Sequence, residues 1–410
     1  MGAMLPTLPG RREFIALIAS IMMTVAFAID TMLPALPAIV DTLGVTIPNR
    51  QQFVITAFMV GFGIAQFFIG TLSDRYGRRG LMLISLVGYT LFSLAAALAP
   101  TFELLLVARA AQGMAAAGAR VVLVSAVRDR FAGREMAQVM SLAATVFMAA
   151  PILAPALGQL ILEIAPWRWI FVVLGAIGAA LWLWVLLRLP ESLDAADRIA
   201  INVREVSASF ATVLRDRQST GYTLALTLLT ACIFGFLTSV QQIFFETFRV
   251  PDFLAAGFAI MATTMAVCSM VNSQIVMRWG MRRIGHGALI GFTLIATGHA
   301  IYAATGHETL ISFIVLQSAM MGCFSLTVGN FNAMAMENMG RVAGTASSLQ
   351  GSFSTIFGAL GGALVGQAFD GTTTPLYVGM AVFGSLAVVA VLVTEHGRLF
   401  VARPSAVAAP

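Results

Sequence analysis

"GTLSDRYGRR", residues 70–79, sets one acid and three arginines between two long apolar runs of a chain that is only 10% charged. Glycines at Gly70 and Gly77 accept backbone conformations and close helix approaches that other residues resist, so the cluster reads as a tight, water-facing turn. The flanking runs are long enough to cross a bilayer, which takes roughly 20 apolar residues at about 1.5 Å each. The stretch therefore reads as a loop joining two membrane helices.

The rest of the chain repeats that pattern. Its 410 residues are 59% hydrophobic, and a mean hydropathy of +0.89 is far above that of a soluble domain. Twelve apolar runs can be read, near residues 14–39, 51–72, 80–99, 103–127, 136–163 and 168–188, then 220–247, 253–276, 286–305, 309–335, 341–368 and 374–394. They are continuous and rich in Leu, Ala and Met, whereas barrel strands would alternate polar and apolar over about ten residues, so helices are expected.

Every basic residue is an arginine, so arginines alone set the orientation. Arg75, Arg78, Arg79, Arg128, Arg130, Arg215, Arg217, Arg282, Arg283 and others fall on one side of a twelve-span chain, and only Arg50, Arg168 and Arg249 on the other. That asymmetry predicts both termini in the cytoplasm. The net charge of +5 is accounted for by topology, which argues against a nucleic-acid partner. "GRREF" with "AFA" at residues 26–28 loosely imitates a cleavable twin-arginine signal, but cleavage would leave eleven spans and discard Asp30, so the run is read as a retained helix.

The longest polar segment divides the chain into residues 1–189, a linker at 190–219, and residues 220–410. Within the linker, Ile199, Val203, Val206, Phe210 and Val213 recur at helical spacing against Arg198, Asn202, Glu205 and Arg215, as in an amphipathic helix on lipid headgroups. A degenerate copy of the opening loop, "RWGMRR" at residues 278–283, follows the eighth run, with Met277 where Asp74 would stand. Such a repeat predicts an all-α membrane protein of two pseudo-symmetric six-helix bundles around a central cavity.

At this point the chain resembles the major facilitator superfamily, whose loop signature of Gly, Asp, Arg, Gly and two basic residues joins the second and third helices. The resemblance implies a conformational latch at Gly70, Asp74, Arg75, Gly77, Arg78 and Arg79. In physical terms, Asp74 can accept hydrogen bonds from these arginines or from a helix N-terminus in the other half.

Charges inside the spans are few. Asp30 lies about 16 residues beyond Phe14, in the outer half of the bilayer at about 1.5 Å per residue. Burial and a neighbouring cation act on its proton in opposite senses, so its protonation follows the neighbour it has. Arg109, at similar depth in the fourth run, is the expected partner. "RAAQGMAAAG" resembles the family's fourth-helix signature at Arg109, Gln112, Gly113 and Ala116, which implies a role for Arg109 in proton movement. Asp30 would pair with Arg109 when ionised and release it when protonated or displaced by a cationic substrate. Arg120, three turns along the same stripe, reads as snorkelling or structurally paired.

"AAPILAPALGQL" resembles the antiporter signature of the fifth helix at Pro151, Pro155 and Gly158, although Ala154 and Gln159 replace the usual glycines. "DTMLPALPAI", "VRDRF" and "AGTASSLQGSF" resemble drug:proton antiporters of the bicyclomycin-resistance type. Expected cavity-lining residues are Phe27, Phe147, Met148, Gln241, Gln242, Glu246, Asn330 and Asn332. Glu246 and Glu163 also read as simple interfacial acids.

Cys232, Cys268 and Cys323 lack zinc or disulfide spacing, and no metal or cofactor is expected. His299 sits well inside a span, where it suits either proton transfer or a structural role. No GxxxxGK[ST] loop is present, and no zinc, serine or carboxylate-dyad signature marks an intramembrane enzyme. The expected function is a proton-coupled exporter of amphipathic or cationic drugs in a bacterial inner membrane, acting as a monomer on a small molecule and protons. The alternative is a proton-coupled importer, or an exporter of one sugar, amino acid or siderophore.

Overall fold

The first apolar run breaks where its prolines fall. The computed structural model describes residues 10–131, 133–147, 149–194, 198 and 203–401. Helix α1 (Arg11–Asp30) stops well short of residue 39, passes through a 3-10 turn at Leu33–Ala35 and resumes as α2 (Leu36–Thr42). Pro34 has no N–H for the Asp30 carbonyl four residues back, and Pro37 has none for that of Leu33. Asp30 is thus the last residue of α1, a correction to the single first helix expected from hydropathy.

Helices α3 (Phe53–Tyr76), α4 (Arg78–Ala97) and α5 (Phe102–Arg130) follow. Backbones of α3 and α5 touch directly: a Cβ on Gly113 would lie 2.0 Å from the Phe58 carbonyl oxygen. Gly113→Ala should therefore cost about 1–3 kcal/mol or more by overpacking. A lower thermal midpoint in detergent is the expected reading, and an unchanged midpoint would contradict the close approach.

The fifth run forms two pieces, α6 (Gly133–Phe147) and α7 (Ala150–Ile164). Pro151, in the first turn of α7, withholds an N–H from the Phe147 carbonyl, and Pro155 lies within α7. Helix α8 (Arg168–Arg188) ends the first set. In the linker, α9 (Val203–Arg215) sets the Phe210 ring 4.9 Å from that of Phe67, while Ile199 and Asn202 lie outside the described residues.

The second set comprises α10 (Arg217–Gln242), prolonged by a π turn at Ile243–Thr247, then α11 (Leu254–Trp279), α12 (Met281–Ala304), α13 (Leu310–Met336), α14 (Ala343–Gln367) and α15 (Thr374–Thr394). Among the described residues, ten helical segments are long and apolar enough to cross a membrane. The two other expected runs are also helical, but one is described as two shorter helices, α6 and α7, and α14 is diluted by Ser, Thr, Gly and Gln.

The seam between the two sets of helices runs along α3 and α14 and along α7 and α11. On the first line, Ser352 Oγ donates to the Gly63 carbonyl at 2.6 Å. The loop and its copy also match in backbone: Gly77 has φ 91° and Gly280 φ 82°, a region that favours glycine.

Candidate functional site

Asp30 and Arg109 are both buried, at 5% and 0% exposure, yet they do not pair. Arg109 donates from Nη2 to the Ala28 carbonyl at 2.9 Å, from Nε to the Val54 carbonyl at 3.2 Å and from Nη1 to Gln112 Oε1 at 2.6 Å. Its guanidinium carbon also lies 4.5 Å from the centre of the Phe58 ring. Among the described residues, the Asp30 carboxyl has no hydrogen bond or ion pair. The expected ion pair is therefore corrected for this conformation.

The fourth-run signature works as a joint. Gln112 donates onward to Ser93 Oγ at 2.7 Å, and Ser93 to the Tyr89 carbonyl at 2.7 Å, linking α5 to α4. Arg109 links α5 to α1 and α3, Gly113 admits the α3 backbone, and Ala116 is buried beside them.

Gly158 of the fifth-run signature meets the break in α1. A Cβ there would stand 2.0 Å from the Thr31 carbonyl oxygen, so α7 is pressed against the residue next to Asp30. Among the described residues, Thr31 Oγ1 is buried in the break without a hydrogen-bond partner. Helix α7 touches α1 and its break on one side and α11 on the other.

In the loop, Arg78 is the hub. Its Nη1 donates to Asp74 Oδ1 and Ser73 Oγ, both at 2.5 Å, and its Nε donates to Asp129 Oδ2 at 2.9 Å. Glu191, which sequence reading overlooked, accepts the backbone N–H groups of Arg78 at 2.8 Å and Arg79 at 3.2 Å, capping α4. Arg79 Nη2 donates to the Leu186 carbonyl at 2.7 Å, and Arg75 lies against the Tyr76 ring. The copy repeats the scheme: Arg282 pairs with Glu337 at 3.2 Å and Glu395 at 3.1 Å, acids that close α13 and α15 as Asp129 and Glu191 close α5 and α8.

At the opposite end, an amide cluster crosses the seam. Gln242 donates to Asn49 Oδ1 at 2.8 Å and Glu246 Oε1 at 3.2 Å, Gln52 donates to Gln242 Oε1 at 2.6 Å, and Gln367 donates to the Asn49 carbonyl at 2.8 Å. Asn49, with φ 62°, and Gln52 were not anticipated, because their partners lie hundreds of residues away in sequence.

A cavity of about 380 Å³ lies at the loop end, lined among others by Gln66, Asp74, Arg78, Arg120, Arg128, Thr345 and Ser348. None of Phe27, Phe147, Gln241, Gln242, Glu246, Asn330 and Asn332 lines it, and Met148 lies outside the described residues. These residues have other surroundings. Phe27 and Phe147 pack into apolar clusters, Asn330 bonds Asn272 and the Leu326 carbonyl, and Asn332 and Glu246 are exposed. Gln241 is buried with its Oε1 unpartnered, while Gln242 is part of the amide cluster. Arg120 has no ion pair among the described residues; its guanidinium carbon lies 5.8 Å from the centre of the Phe62 ring, and it lines the cavity at the loop end. His299 is bonded to Glu308 and stacks on Tyr377 with 3.5 Å between ring centres.

The sequence profile of the Major Facilitator Superfamily matches residues 17–362. The MFS-type transporter YdgK of Bacillus subtilis is 31% identical over 369 residues, covering 88% of this chain and 90% of that protein. The bicyclomycin resistance protein homolog of Haemophilus influenzae is 28% identical over 385 residues, covering 92% and 94%. In structure, the xylose transporter XylE of E. coli, in a partially occluded inward-open conformation, superposes with a TM-score of 0.73 at 11% identity, covering 94% of this chain and 98% of that one.

Proposed function

The chain belongs to the major facilitator superfamily, and on that premise we propose that it exports amphipathic or cationic drugs by alternating access, driven by protons entering through Asp30. It is a multi-pass membrane transporter rather than an enzyme, and its similarity to a bicyclomycin resistance protein homolog supports drug efflux over nutrient uptake. In this reading the Arg-rich end faces the cytoplasm of a bacterial inner membrane, with both termini there, and the protein works as a monomer. The cargo in this reading is amphipathic or cationic, because an ionised Asp30 can take a cationic drug as its counter-charge.

The observation that carries the proposal is the buried Asp30 at the broken end of α1, without an ion pair among the described residues and beside α7, which touches both the break and α11 of the other half. A neutral acid fits that apolar setting, and a carboxylate there needs a cation. Arg109 is already bonded to the same helix, at Ala28. Loss of the proton therefore draws on the Arg109 joint and reshapes the break, and α7 carries the change to α11. Binding energy that differs between the two protonation states is what moves the inward and outward populations.

Expression in an efflux-deficient host tests this. Resistance to several amphipathic antibiotics that disappears with a protonophore is expected. Rescue of growth on a single nutrient, with no change in drug susceptibility, would instead establish uptake.

A further inference from the structure

Beyond α15 the chain folds back on itself. Gly397 donates its N–H to the Leu392 carbonyl at 2.8 Å, and His396, Gly397 and Phe400 have positive φ, of 54°, 75° and 68°. For His396 and Phe400 that is a conformation side chains resist, so the turn needs contacts that hold it. Those contacts are with His286 of α12, which is 1% exposed. The Phe400 N–H donates to His286 Nδ1 at 3.2 Å, and the two rings meet edge to face with 5.9 Å between centres.

The ring's other bond fixes which nitrogen carries the hydrogen. Tyr222 of α10 has one hydroxyl proton, and it goes to Glu395 Oε1 at 2.7 Å, the carboxylate that Arg282 also engages. The Tyr222 oxygen, 2.9 Å from His286 Nε2, is left to accept, so Nε2 carries the hydrogen and Nδ1 is a bare acceptor facing Phe400. A second proton on the ring would set an Nδ1–H against the Phe400 N–H, two donors with no acceptor between them. The charges acting on the ring are Glu395 at the end of α15 and Arg282 on α12 itself. Helix α13 presents the apolar Phe331 to it, 6.0 Å between ring centres, and sends Glu337 to Arg282, while His396 and Arg398 of the returning segment are exposed. One cation and two acids make up the Arg282 cluster, so a further positive charge beside it is balanced.

We propose that the returning segment, residues 396–401, is a strap that docks beside the second loop copy while His286 is neutral and comes off when the ring takes a proton. Docking and protonation compete for one atom, Nδ1. At alkaline pH the Phe400 N–H occupies it. As the pH falls the proton takes its place, the imidazolium balances the acids around Arg282, and the strained turn loses the contact that holds it. Release moves the strap and leaves the helix ends in place, because Arg282 keeps both of its acids. That the strap lies on the cytoplasmic side rests on the orientation proposed above, whereas the competition for Nδ1 does not.

The test uses the full-length protein in phosphatidylcholine nanodiscs, with Cys232, Cys268 and Cys323 replaced by alanine and a spin label on Val401→Cys, a position 54% exposed. Between about pH 8 and about pH 5, where histidine titrates, the label should pass from an immobilised to a mobile spectrum, the docked-to-free ratio falling about tenfold per pH unit for one coupled proton. His286→Asn keeps an acceptor near the Nδ1 position and takes no proton, so its label should stay immobilised across the range. His286→Phe removes the acceptor, and its label should be mobile throughout. His396→Gln, which removes the exposed histidine of the strap, should leave the transition unchanged. With His286 in place, a mobility that does not respond to pH would overturn the proposal, as would a transition that survives in His286→Asn or disappears in His396→Gln. Size-exclusion profiles matching the parent protein exclude misfolding as the cause. The readout needs neither drug nor gradient, so failure of the export reading leaves it standing, and failure here leaves export untouched.

Discussion

Asp30→Asn is expected to insert and fold normally and to lose proton-driven drug export. Asparagine has nearly the shape of the protonated acid, so the packing of α7 against Thr31 survives and the apolar setting carries no new charge. What disappears is the second protonation state. A transporter confined to one state samples the other at about one per cent or less, which lowers turnover by about a hundredfold. Uptake of a fluorescent amphiphile into everted vesicles, with and without a pH gradient, reads the effect. Gradient-dependent transport at more than half the unsubstituted rate would remove Asp30 from the mechanism.

Arg109→Leu should act mainly on the fold. Its guanidinium joins the Ala28 carbonyl of α1, the Val54 carbonyl of α3 and Gln112 of α5, and is wholly buried. Leucine leaves Gln112 Oε1 without a donor and removes the tie between three helices, a loss of roughly 2–4 kcal/mol when unsatisfied buried acceptors are the main effect. Arg109→Lys should recover only part of it, since one ammonium does not reproduce the planar fork. Thermal unfolding of the purified variants should rank arginine above lysine above leucine. Equal midpoints would show that the joint contributes little to stability and return Arg109 to a purely transport role.

How much of this was legible in the chain differs from element to element. "GTLSDRYGRR" and "RWGMRR" announced a repeated loop, and the shared positive φ of Gly77 and Gly280 shows the repeat in the backbone. The acids that complete each copy were not legible, because Asp129, Glu191, Glu337 and Glu395 reach their arginines from helix ends that are neighbours only in space. Hydropathy placed the first and fifth runs but smoothed over Pro34, Pro37 and Pro151, which break them.

At the site, depth could be counted and direction could not. Asp30 and Arg109 were expected at one level of the bilayer, and both are buried, but the guanidinium is taken up by the Ala28 and Val54 carbonyls and by Gln112 rather than by the acid. Arg128 was read as an orientation signal and Arg120 as snorkelling or structurally paired. Arg120 and Arg128 also face a cavity, a fact that depends on how α5 and α14 cross. Side-chain type predicted polar lining from Gln242 and Asn330, while their actual partners, Asn49 and Asn272, satisfy them elsewhere.

The most direct measurement is the distance between the two loops as a function of pH. Tyr76 and Met277 are exposed, at 57% and 90%, and sit in the two copies of the loop. Spin labels on Tyr76→Cys and Met277→Cys, with Cys232, Cys268 and Cys323 replaced by alanine, would report their separation in nanodiscs. If the Asp30 proton sets which end is open, the distance distribution shifts between acid and alkaline pH and, in Asp30→Asn, stays at the acid-pH form throughout. The same pH-driven shift in Asp30→Asn would contradict it.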